Sequence, residues 1–188
     1  MKSIEYSGVG FPKEKTVGEE GTVEELLFRY AEKDNAQLFA ILDAARSDEV
    51  LAKLAQGEVE YESLFRGRKE EQLFAFSPFL VLCKEKTELV QWLASEAWAQ
   101  SMGVFFTSSD SFKNLFNHFQ KFLMVREEGG DEMYFRFYDP RVLRVYLPTC
   151  TAQELNQFFG NVVRFVLESE DGESILSFAK SDLGAKRR

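Results

Sequence analysis

Three short apolar runs constrain this chain more than any other feature. They are Gln37-Leu-Phe-Ala-Ile-Leu42, Phe79-Leu-Val-Leu-Cys83 and Gly103-Val-Phe-Phe-Thr107. Each is too short for a buried helix and lacks the polar alternation of a half-exposed strand, so each reads as a strand buried on both faces. Helical signals separate them. Ser47 can cap a helix running to about Gln56, with Val50, Leu51 and Leu54 as its stripe and Gly57 as its stop. Thr87 starts another, carrying Leu89, Val90, Leu93, Ala97 and Trp98. Strands alternating with helices predict parallel βαβ units in the first half.

The flanks add to this pattern. Thr22-Val-Glu-Glu25 is a capping box ahead of a helix to about Lys33. Asp110 is the expected cap of a helix over 111–123, where Phe112, Leu115, Phe116, Phe119, Phe122 and Leu123 fall within one arc. Phe116 and Phe119 are therefore expected in the core. Leu123–Arg126 and Met133–Tyr138 flank a Gly-Gly turn and predict an antiparallel hairpin. Asp139-Pro140 opens a short helix, with Asp as cap and Pro at the first helical position; Pro148 is read as its stop. Thr151-Ala-Gln-Glu154 is a second capping box, with Gly160 ending that helix. Tyr61–Phe65 reads as a turn segment, 162–167 as a strand and 174–179 as a further candidate strand. The expected class is α/β: one domain with a mixed sheet, parallel βαβ units plus the late hairpin, flanked by helices. Residues 1–21 read as a flexible lead-in with at most one short strand, 22–180 as the domain, and 181–188 as a basic tail.

At 188 residues the chain fits a single domain that folds without disulfide or metal. A net charge of -8 repels phosphate backbones and anionic membranes, so neither nucleic acid nor membrane is an expected partner. Cys83 and Cys150 form no CxxC pair and read as buried free thiols of a reducing compartment. With no apolar leader block and no run long enough to span a bilayer, the chain is read as cytoplasmic.

Catalytic patterns are missing. The single histidine, His118, lies at the border of an apolar arc and reads as a boundary residue. One histidine and two distant cysteines make no zinc set. The chain contains no GxSxG, P-loop or GxGxxG. Asp43 and Asp139 each follow an apolar strand, where α/β proteins place functional groups. A strand-ending turn explains Asp43 and a helix cap explains Asp139; a small hydrolase using either carboxylate is the alternative. No cofactor or metal is expected.

One stretch does not fit a purely structural reading. In Met133-Tyr-Phe-Arg-Phe-Tyr138, strand alternation puts Met133, Phe135 and Phe137 on a core face and Tyr134, Arg136 and Tyr138 on the other. Arg141 and Arg144 lie one helical turn apart just beyond. Either these arginines pair with the chain's own carboxylates, or they form with the tyrosines a recognition surface for an acidic protein segment.

The same residues carry a resemblance. The ordered series begins with Leu38-Phe-Ala-Ile-Leu-Asp-Ala-Ala-Arg46, Tyr61-Glu-Ser-Leu-Phe65 and Pro78-Phe-Leu-Val81. It continues through Trp92-Leu93, Trp98-Ala-Gln-Ser-Met-Gly-Val-Phe-Phe-Thr-Ser108 and the helix bearing His118. It ends with Phe135-Arg-Phe-Tyr-Asp-Pro-Arg-Val-Leu-Arg144, Leu147-Pro148 and Phe158-Phe-Gly160. Over about residues 36–168 the chain resembles the adaptor chaperones of bacterial type VI secretion, of the Tap/Tec type. Relatives commonly carry glycines beside the tryptophan corresponding to Trp98, where this chain has Ala97 and Ala99. The resemblance implies a non-enzymatic protein that binds a toxic effector in the donor cytoplasm, often through the effector's N-terminal part. It also implies loading of that effector onto a VgrG-type spike protein. A structural subunit of a secretion assembly is a further alternative.

Overall fold

Every strand pairing among the described residues of this protein is antiparallel. The computed structural model describes residues 12–57, 59–67, 72–126, 130 and 132–180. The lead-in supplies strand β1 (Lys13–Thr16); residues 1–11 and the basic tail 181–188 lie outside the described residues. In chain order there follow α1 (Val23–Asp34), β2 (Gln37–Asp43), α2 (Asp48–Gln56), β3 (Tyr61–Ser63), a 3₁₀ turn (Phe74–Phe76), β4 (Pro78–Cys83) and α3 (Glu88–Ser95). Then come β5 (Gly103–Ser108), α4 (Phe112–Gln120), β6 (Met124–Arg126), β7 (Glu132–Tyr134), α5 (Pro140–Thr149), α6 (Ala152–Phe159), β8 (Val162–Glu168) and β9 (Ser174–Ala179).

The main sheet has the order β1-β9-β8-β5-β2-β4-β3, and β6-β7 form a separate two-stranded hairpin. The expected parallel units are therefore absent. Helices do connect strands that run in the same direction, β2 to β3 through α2 and β4 to β5 through α3. In each case an antiparallel strand occupies the gap: β4 lies between β2 and β3, and β2 lies between β4 and β5. The apolar runs looked parallel because both faces of the sheet are covered, the condition that usually accompanies a parallel sheet. Phe39 and Ile41 face the layer of α4, α5 and α6, whereas Leu38, Ala40 and Leu42 face α1, α2 and α3.

Most local start signals hold. Both capping boxes form, at Thr22 with Glu25 and at Thr151 with Glu154. Asp139 caps α5 by accepting from the Arg141 N–H. Ser111, not Asp110, caps α4: its hydroxyl accepts from Asn114 N–H, while Asp110 sits one residue outside and accepts from Ser111 N–H. Pro148 does not stop α5 but lies in its last turn. Ala97 and Trp98 lie beyond α3, and Tyr61–Ser63 is an edge strand rather than a turn.

Phe116 and Phe119 are buried, as their arc requires; the Phe119 ring stacks on Phe137 at 5.5 Å and meets Phe106 edge-on at 4.9 Å. On the other face, Arg164 of β8 forks onto Asp34 at the end of α1, at 2.8 and 2.9 Å, with both side chains about as buried as the core. Thr107 donates to the same carboxylate and the guanidinium lies 4.8 Å from the Tyr30 ring, so this polar set ties α1 to the sheet. Cys83 and Cys150 are both buried free thiols, and burial pushes Cys83 up to about 12.

His118 is structural. Its Nε2 lies 2.8 Å from the Phe158 carbonyl, and the ring packs on Gly160, where a Cβ would fall 2.5 Å from it. Gly160 also has φ +52°, so both sterics and backbone demand glycine there. Burial lowers the His118 pKa, opposed by the bond to Phe158.

Candidate functional site

The arginines collect at one end of the sheet, where β2 and β8 finish and α5 begins. Asp43, last residue of β2, has a side chain only 1% exposed and receives Arg136 Nη2 at 2.5 Å on one oxygen and the Ala45 N–H on the other. Asp139, whose side chain is 3% exposed, receives the Arg141 fork, Nε at 2.9 Å and Nη2 at 2.6 Å, as well as its N-cap bond. Arg136 stands 3.9 Å from the same carboxylate. Arg144 donates to the Glu168 carbonyl at 2.7 Å, and Arg46 donates to the Gln100 carbonyl nearby.

This arrangement layers the charge. The carboxylates are inside, whereas the Arg136 and Arg141 side chains remain 43% and 50% exposed. Burial alone would push the Asp139 carboxyl up; the bonds from Arg141 and the charges of Arg141 and Arg136 outweigh it and hold Asp139 below the usual range. Burial likewise opposes the Arg136 charge, but its bond to Asp43 and that carboxylate's charge raise its pKa. An acidic protein thus presents a cationic ridge at this end.

Beside the ridge lies a clamped loop. The buried Glu168 carboxylate accepts from the Ala99 N–H at 2.8 Å and from the Ser101 N–H and hydroxyl at 3.0 Å. Burial raises the Glu168 pKa, and these donors oppose the rise. Ala99 and Ser101 both hold positive φ, 65° and 54°, which non-glycine residues adopt at a cost. Trp98 Nε1 donates to the Gly172 carbonyl at 2.9 Å and secures the same loop. The left-handed backbone usually associated with glycine therefore persists at Ala99. Sequence reasoning missed Glu168, although it ends an apolar strand just as Asp43 does.

The expected face of Tyr134, Arg136 and Tyr138 does not form. Strand β7 stops at Tyr134, because Phe135 N–H makes a last bond to the Leu123 carbonyl and the chain then turns, with Asp139 N–H bonding the Arg136 carbonyl. Alternation ends with the strand. Tyr138 is buried, and burial pushes it up to about 12, while Met133, expected in the core, is 46% exposed. Phe137 is buried and Phe135 partly so, as expected. The Tyr134 ring lies 5.6 Å from that of Phe65. The residues that do converge are Arg136, Arg141 and Arg144, joined by Arg46 and by the buried Tyr138, whose ring centroid lies 6.0 Å from the Arg136 guanidinium. Val145, the most exposed large apolar residue described, lies on α5 one turn after Arg141.

Asp43 and Asp139 are both spoken for by arginines and backbone donors. Among the described residues no group of three or more His, Cys, Asp or Glu side chains could hold a metal ion, and no helix is long and apolar enough to cross a membrane.

The fold is a three-layer α/β domain with a fully antiparallel central sheet, and its most distinctive polar feature is an arginine ridge backed by buried carboxylates. The profile of the family described as "Domain of unknown function (DUF4123)" matches residues 38–157, and the chain belongs to that family. No curated protein and no solved structure matches it.

Proposed function

We propose that this protein is a non-catalytic, cytoplasmic adaptor of type VI secretion, which binds a cognate toxic effector and helps load it onto a VgrG-type spike protein. The observation that carries the reading is the ridge: Arg136 and Arg141 with their counter-charges behind them, and Arg144 held by a backbone carbonyl, so that outer edges of the guanidinium groups stay available for a carboxylate-bearing segment. Such groups, flanked by the exposed Val145, are of the types that dominate binding energy at interfaces. Family membership and the ordered series of residues from Leu38 to Gly160 support the same reading. Engagement of both strand-end carboxylates favours binding over hydrolysis: Asp43 is buried beneath Arg136, and Asp139, held below the usual carboxylate range by the Arg141 fork, is a poor general acid.

Co-expression with candidate toxin and spike proteins drawn from its genomic neighbourhood tests the proposal. Both should co-purify with the adaptor, and toxin recovery should fall in Arg141→Gln and Arg144→Gln. If neither neighbour co-purifies with the wild-type chain, the adaptor reading is wrong.

A further inference from the structure

We propose that Arg46 is a further contact residue of the arginine ridge, for a partner segment that carries more than one carboxylate, and that Glu168 is the residue that positions it. The proposal rests on the ridge reading given above and adds which arginines keep their charge for the partner and what holds them in place.

The four arginines of the ridge are anchored in two different ways. Arg136 and Arg141 lie on the carboxylates of Asp43 and Asp139. Arg46 and Arg144 instead donate to backbone carbonyls, those of Gln100 at 3.2 Å and Glu168 at 2.7 Å. A carboxylate offsets the charge of the guanidinium it holds, whereas a carbonyl orients the group and leaves its charge whole. The guanidinium fork carries five N–H donors, so one edge can be anchored while another receives a carboxylate. Arg46 is exposed and Arg144 half-buried, so Arg46 is the better placed of the two to meet a carboxylate arriving from solvent.

Both carbonyl anchors run through Glu168. Its own carbonyl holds Arg144, and its buried carboxylate gathers the Ala99 N–H, the Ser101 N–H and the Ser101 hydroxyl, the donors on either side of Gln100. Without an anion to collect those N–H groups, the left-handed backbone at Ala99 and Ser101 is a costly conformation. The Trp98 indole bond to the Gly172 carbonyl fixes one end of the loop, and the bond from Asp43 N–H to the Met102 carbonyl fixes the other. Arg46 leaves a turn closed by Asp43, whose carbonyl accepts from Arg46 N–H and whose carboxylate accepts from Ala45 N–H and from Arg136. Asp43 therefore sets where the Arg46 side chain starts, and the loop that Glu168 clamps sets where it ends. A guanidinium fixed in advance loses less freedom when a partner binds. Charge alone argues the other way: a glutamate beside the ridge repels an acidic partner, so its removal should tighten binding. Positioning predicts that its removal loosens binding, and the two effects differ in sign.

The test uses the full chain and a capped synthetic peptide alternating glutamate with serine, with a counterpart that has glutamine for every glutamate, and binding is read by titration calorimetry. Wild type should bind the glutamate peptide and not the glutamine one. Arg46→Gln should weaken binding about fivefold, the effect of one charge-assisted contact at an exposed site. Glu168→Ala should weaken it by a similar factor, and should add little in the Arg46→Gln background, because the two residues act as one unit. Glu168→Gln keeps an acceptor for the Ser101 N–H and hydroxyl and should restore most of the loss. If wild type does not distinguish the two peptides, the ridge reading fails and this proposal with it. If wild type does, but Arg46→Gln binds equally well, Arg46 lies outside the site and only this proposal falls. Binding by Glu168→Ala as tight as wild type or tighter, or a full further loss when it is combined with Arg46→Gln, overturns the positioning role. Should Glu168→Ala fail to fold, Glu168→Met fills the same space without an acceptor and takes its place, and the Arg46→Gln comparison decides the contact by itself.

Discussion

Removing Arg141 and removing Asp139 should have opposite signatures, although the two side chains form one ion pair. Asp139 is buried and caps α5, so Asp139→Ala loses the N-cap bond and frees Arg141 into solvent. A lost cap costs about 1 kcal/mol, with an upper range near 2. In a domain of this size each kcal/mol lowers the melting temperature by roughly 2–4 °C. Arg141 is half-exposed, so its ion pair is screened by water and contributes at most about 1 kcal/mol. In Arg141→Gln, Asp139 keeps its backbone donor and has Arg136 at 3.9 Å, so no buried charge is orphaned. The expectation is a clear melting shift with Asp139→Ala and little or none with Arg141→Gln, but a loss of toxin co-purification with Arg141→Gln. Acid should act through the same carboxylate. Its folded pKa is depressed, so its stabilisation is present above the unfolded value of about 3.9 and is lost as pH falls below it. If Arg141→Gln melts lower than Asp139→Ala, or captures the toxin as well as wild type does, the arginine belongs to the scaffold and the reasoning fails.

Four other substitutions probe the frame. Phe119→Ala empties a site ringed by Phe106, Phe137 and Phe165 and should cost about 3–5 kcal/mol by denaturant titration. Asp34→Ala leaves the buried Arg164 guanidinium unpaired and should cost about 3–5 kcal/mol, whereas replacing both partners by apolar residues should cost much less. Ala99→Gly should raise stability by up to about 1 kcal/mol, because the left-handed backbone no longer opposes a Cβ; a destabilised variant would show that the Ala99 methyl contact at Gly172 matters more. His118 has a lowered folded pKa, so its contribution is complete above about pH 6.5 and is lost as pH falls through the folded value. His118→Gln should flatten stability against pH in that window, and an unchanged slope would point to other groups.

What could be read from the sequence was local. The capping boxes at Thr22 and Thr151, the Asp139 cap and the buried arc of Phe116 and Phe119 depend on residues within a turn or two of one another, where helical geometry leaves few choices. Strand positions were also legible, since burial on both faces writes an uninterrupted apolar run. Which strand lies beside which was not, because burial period encodes the covered face and not the neighbour or its direction. The candidate site divides in the same way. The arginines stood out as charge inside an apolar stretch. Their counter-ions did not: Arg136 finds Asp43 ninety-three positions away, and Glu168 clamps Ala99 and Ser101 across nearly seventy. Alternation mispositioned Tyr138 because the strand ended at Tyr134, where one backbone bond to Leu123 is followed by a turn, and Met133 because β7 belongs to a separate two-stranded sheet in which all three of its residues are exposed. Chemistry type and local conformation are properties of short segments. Charge pairing, strand direction and exposure are set only when the antiparallel sheet brings distant segments to a common end.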